Sequence, residues 1–155
     1  MSFEKRIAKL GLEVPTAFQN PGNFVPAVIH GNLIFASGQT GKREGVLKYQ
    51  GKLGREVKVE EGYEAARLAM LSCLGELKTV LGSLDRMERI LRVTGYVASA
   101  PGFHDQPLVI NGASDLLLEI FGEAGQHART AVGVAELPGN APVEVEVFCA
   151  LKAGE

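Results

Sequence analysis

The chain has 155 residues, 46% of them hydrophobic and 22% charged, which is room for one domain with a real core and too apolar for a disordered polymer. Sixteen Lys and Arg against 18 Asp and Glu leave a formal charge of −2, so there is no large positive field to hold phosphate backbones, which argues against a dedicated nucleic-acid binder. The two cysteines, Cys73 and Cys149, form neither a CxxC pair nor a zinc-finger spacing with histidine, so no metal site is expected.

Charges run through the opening MSFEKRIAKLG, and no window approaches the run of about 18 apolar residues that a membrane span needs. The expected setting is the cytoplasm, away from membranes. In chain order, Ser2 is placed to cap a short amphipathic helix carrying Phe3, Ile7 and Leu10, with Gly11 as its stop. The Pro-, Gly- and Asn-rich segment 15–24 reads as irregular. It leads into a hairpin, FVPAVIH and LIFASGQ around Gly31-Asn32, a type II′ turn. A weak strand is expected over 46–49. Ala66, Met70, Cys73, Leu74, Leu77, Val80 and Leu81 recur at three-four spacing and predict a helix over 60–81, with Glu76 among the charges on its other side.

Alternation predicts a strand over 90–99 with Leu91, Val93 and Val97 on one face. Pro107 opens a second long helix that ends at Gly122, and two strands, 129–137 and 143–151, close the chain. The whole of 1–155 then reads as a single α+β domain with a short N-terminal helical extension over about 1–20. Its two long helices cover one face of a mixed, largely antiparallel sheet of roughly six strands. A bare second face calls for another subunit, so a homo-oligomer with sites at its seams is expected.

The last strand carries the clearest chemistry. Its period-two pattern sends Val143, Val145, Val147, Cys149 and Leu151 inward and sets Glu144 and Glu146 side by side on the opposite face. These are either a solvated or salt-bridged pair, or a proton-transfer group with a structural neighbour. Arg129 opens the preceding strand beside the small residues Ala131 and Gly133. A guanidinium fork with space next to it suits a ligand carboxylate, and it equally suits a structural carboxylate or loop carbonyls. His30, His104 and His127 form no evident triad, and Ser37-Gly38-Gln39 is not a nucleophile elbow. No phosphate-binding glycine loop opens a helix, so no nucleotide cofactor is indicated.

Three blocks in order, Gly31-Asn32 with Ala36-Ser37-Gly38-Gln39, then Asn111, then Arg129 through Leu137-Pro138 to Val143-Glu144-Val145-Glu146, resemble the RidA/YjgF family of reactive-intermediate deaminases, which includes the liver perchloric-acid-soluble proteins. The resemblance runs from about Phe24 onward. It implies a chorismate-mutase-like fold, a homotrimer with clefts between subunits, and no metal or organic cofactor. It also implies hydrolytic deamination of small carboxylate-bearing enamines or imines to 2-keto acids and ammonia. Carried over by position, Arg129 binds the substrate carboxylate, Glu144 places or activates water, and Phe24, Asn111, Gly38 and Gln39 line the substrate. Phe24 stands where the deaminases carry tyrosine, so the ring is kept without its hydroxyl, and Ala131 stands where some members have cysteine. Non-catalytic binding of small carboxylates in the same cleft is the alternative; ribonuclease activity fits the acidic charge less well.

Overall fold

A computed structural model describes residues 2–17 and 22–154. Its elements are α1 (Phe3–Lys9), β1 (Ala27–His30), β2 (Leu33–Ala36), α2 (Val59–Leu81), β3 (Met87–Ala98), α3 (Gln106–Phe121), β4 (Ala128–Val134) and β5 (Val143–Leu151), with short 3-10 turns at Leu84–Arg86, Gly122–Gly125 and Pro138–Asn140. Of the irregular segment expected over 15–24, residues 18–21 lie outside the described residues, as do Met1 and Glu155.

The strands form one five-stranded sheet in the order β1-β2-β5-β3-β4. All pairs are antiparallel except β3–β4. That exception follows from connectivity: α3 fills the crossover between β3 and β4, which a parallel pair requires. The hairpin turn has Gly31 at φ 60°, as a type II′ turn demands of its first central residue. The inward row of β5 is fully buried from Val143 to Cys149 and packs under α2, while α3 lies over β3 and β4 on the same face of the sheet. Among the described residues no helix is long and apolar enough to cross a membrane.

Four expectations need correction. The segment 46–49 is no strand: Arg43 and Val46 bridge across a tight turn with Glu44 at φ 50° and Gly45 at φ 78°. The sheet accordingly has five strands rather than six. Register shifts between Met87 and Arg89 and between Ile90 and Arg92 put Ile90 in the core and leave Leu91 36% exposed, because each extra bulged residue breaks the two-residue period. Glu76, set apart from the apolar stripe of its helix by the spacing, is nonetheless buried. There the chain after α1 crosses α2 so closely that a Cβ on Gly75 would meet the Pro15 carbonyl oxygen at 2.1 Å.

Candidate functional site

The sequence-nominated residues fall into two groups. Phe24, Gly38, Gln39 and Glu144 line an open cleft of about 550 Å³ that also takes in Lys42, Arg43 and Ser72. Its floor follows from strand geometry. Phe35 pairs with Phe148, while beyond β2 the backbone of Gln39 pairs with Val145, one residue out of step. The slip bulges the chain at Ser37–Gly38, and Gly38 comes so near the carboxylate that a Cβ there would stand 2.8 Å from Glu144 Oε1. Both the N–H and the C=O of Gln39 are engaged with Val145, so Gln39 offers the cleft its side chain and a rigid backbone wall. Ser37 Oγ donates to the Val25 carbonyl at 2.6 Å and its N–H to the Pro26 carbonyl, tying down the segment that carries the exposed Phe24 ring.

Glu144 is half-buried, and among the described residues no donor or cation neutralises its carboxylate. Burial first, and the charge of Glu146 second, push its pKa above the ordinary carboxylate value. Glu146 differs in role, since it accepts a hydrogen bond from the Tyr96 hydroxyl at 3.0 Å. Arg43, which sequence reasoning missed, donates to Ser72 Oγ at 2.8 Å and to the Leu68 carbonyl at 3.1 Å. Burial draws its pKa down, opposed by the charge of Glu13. No sequence signal marks Arg43, because the loop that carries it has no period.

Arg129 and Asn111 form the second group. The guanidinium Nη1 donates to Asn111 Oδ1 at 2.8 Å and to Ser114 Oγ at 3.2 Å, and Nη2 to the Pro107 carbonyl at 3.5 Å. All three acceptors lie on α3. Among the described residues no carboxylate pairs with Arg129, so its charge is held by neutral groups and further N–H donors stay available. Ser114 Oγ is also 2.9 Å from His127 Nε2, and His127 Nδ1 is 2.6 Å from the Gly125 carbonyl.

Pairing between β4 and β5, which are consecutive in the chain, would set Arg129 beside the glutamates. Instead β3 separates them: Val93 is the register partner of both Arg129 and Val147, and Tyr96 that of Glu144. Arg129 shares the helix-covered face with Val93, while Glu144 lies on the opposite face of the sheet. In one copy of the chain the two groups therefore do not meet. Among the described residues no three His, Cys, Asp or Glu side chains gather closely enough to hold a metal ion.

The family model described as "YjgF/chorismate mutase-like, putative endoribonuclease" matches residues 4–151. Protein TCP17 of Trypanosoma cruzi is 41% identical over 146 residues, covering 94% of this chain and 91% of that protein. Among solved structures, Atu1372 of Agrobacterium tumefaciens, of unknown function, is 41% identical with a TM-score of 0.89, covering 97% of this chain and 92% of its own. A "putative endoribonuclease" from Shewanella oneidensis is 40% identical with a TM-score of 0.93, covering 97% and 100%.

Proposed function

Because the chain belongs to the YjgF/chorismate mutase-like family, we propose that it is a hydrolytic deaminase of small carboxylate-bearing enamines or imines, working in clefts between the subunits of a homotrimer. The observation that carries this reading is the half-buried Glu144 carboxylate, unneutralised and raised in pKa, beside an open cleft. The unpaired Arg129 on the other sheet face supports a cleft completed by a second copy of the chain. An apolar outer face, where Phe35 and Phe148 stack edge-on at 4.8 Å, gives the copies a surface to share.

In this reading the Arg129 guanidinium, steadied by Asn111, takes the substrate carboxylate by a two-pronged contact. An enamine first tautomerises to its imine. Water adds to the imine carbon with one of its protons passed through Glu144 to nitrogen. The resulting carbinolamine hydroxyl then gives up its proton, again through Glu144 to nitrogen, as the C–N bond breaks and the C=O forms. Ammonia and a 2-keto acid leave. Phe24 packs on the substrate side chain and Gly38 keeps the carboxylate in clearance. The site needs no cofactor for this step, since the imine carbon is already electrophilic. A nuclease reading draws on the family description and the Shewanella relative, yet the net charge of −2 and two outward glutamates repel a phosphate backbone.

The test is ammonia release from enamines generated in situ, followed by subunit mixing. Arg129→Lys and Glu144→Gln homo-oligomers are each expected to be nearly inactive. Co-refolded, they regain roughly a quarter of wild-type turnover, because every mixed trimer contains one cleft with both native residues. Failure of the mixture to recover would sink the shared cleft. Carboxylate binding with no turnover of any enamine would leave a binder, and salt-sensitive RNA cleavage that survives Arg129→Lys would leave a nuclease.

A further inference from the structure

The hydrogen bonds behind Arg129 have a direction that can be worked out from which groups are able to donate. The Gly125 carbonyl, 2.6 Å from His127 Nδ1, can only accept, so Nδ1 carries the proton. In the neutral ring Nε2 is then bare, and the contact at 2.9 Å requires the Ser114 hydroxyl to donate to it. With its proton committed, Ser114 Oγ turns lone pairs toward Arg129 Nη1, 3.2 Å away, and a guanidinium only donates. With Nε2 bare, every group in the chain Arg129, Ser114, His127, Gly125 is used in a polarity that satisfies its neighbours. Ser114 and His127 lie 13 positions apart, one on α3 and one just before β4, so the chain also ties the helix to the strand that carries Arg129.

We infer that Ser114 and His127 are positioning residues for the carboxylate anchor: the His127 imidazole orients the Ser114 hydroxyl, and the hydroxyl, together with Asn111, fixes the Arg129 fork in its ligand-ready direction. This rests on the reading of Arg129 as the carboxylate anchor. Two acceptors on Nη1 hold the plane of the fork, whereas without Ser114 it is held by Asn111 and by the long 3.5 Å contact of Nη2 to the Pro107 carbonyl. The arrangement also differs from a serine nucleophile and its base, because the Ser114 lone pairs face a cation rather than an open substrate volume.

The experiment uses 2-oxobutyrate as the probe, with calorimetric titration of the full-length protein. Ser114→Ala and His127→Phe are each expected to weaken its binding about tenfold, the loss of one hydrogen bond to a charged group. His127→Gln, whose amide oxygen can accept from Ser114 as Nε2 does, is expected to restore most of it. In turnover the same variants raise KM with kcat nearly unchanged. Nitrogen-15 spectra of the histidine rings are expected to show His127 protonated at Nδ1 and bare at Nε2.

Loss of binding in Arg129→Lys with wild-type binding in Ser114→Ala and His127→Phe would overturn the positioning role and leave the anchor standing. Wild-type binding in Arg129→Lys would instead remove the anchor itself. An Nε2-protonated ring, a His127→Gln variant as weak as His127→Phe, or covalent capture of Ser114 by a serine-directed phosphonate would each overturn the inference.

Discussion

Burial and the neighbouring charge of Glu146 both raise the pKa of the Glu144 carboxyl, so the folded chain holds that proton more tightly than the unfolded chain does. The stability this confers is present at low pH, below the unfolded value, and is lost as pH rises through the folded value. At neutral pH the ionised side chain thus opposes folding. Glu144→Gln is expected to melt higher than the wild type at neutral pH, with the gap closing as the solution is acidified; thermal scans across pH measure it. The same variant should lose roughly 10²- to 10⁴-fold in kcat, the usual worth of a positioned acid or base. Arg129→Lys, which keeps charge and loses the fork, is expected to raise KM about 10- to 100-fold in the ammonia-release assay. The sequence pattern singles out Arg129 near the start of a strand and Glu144 with Glu146 in a strict alternation, while only the family resemblance separates Glu144 from Glu146. Ser114 and His127 are not singled out: their pairing depends on how a helix lies against a strand, which no local spacing encodes.

α3 carries Asn111, Ser114 and Pro107, so its seat decides the geometry around Arg129. That seat is a close crossing with α2, where a Cβ on Gly112 would stand 1.9 Å from the Tyr63 carbonyl oxygen. Backbone cannot yield as a side-chain tip can. Gly112→Ala is expected to cost about 1–3 kcal/mol or more in denaturant unfolding and, in what still folds, to weaken binding at Arg129. The helices and the inward row of β5 could be read from their periods, since burial on one face imposes the pattern. Strand partners could not. That β4 joins β3 in parallel and leaves β5 on the other side of β3 is settled by the α3 crossover, and the sequence pattern of a strand says nothing about its neighbour. The bulges in β3 misled for a related reason, since a shifted register exchanges inward and outward residues.

The outer sheet face leaves Val28 52% and Phe35 36% exposed, with Phe148 beside them and Glu144 further along the same strand. Apolar area of this kind beside the Glu144 cleft is what the subunit contacts of the proposed trimer would cover. Phe35→Asp is expected to yield monomers in sedimentation velocity, with a native circular dichroism spectrum and no ammonia release. The opposite face behaves differently under chemical attack. Cys73 and Cys149 have no exposed surface; Cys73 donates to the Val145 carbonyl, and burial raises both thiols, Cys149 to about 12. Native protein should therefore resist iodoacetamide, with almost no thiolate to offer. Since the two sulfurs sit where helix meets sheet, alkylation becomes a clock for the parting of those layers. Simultaneous labelling of both sulfurs would mean that the layers separate in a single cooperative event.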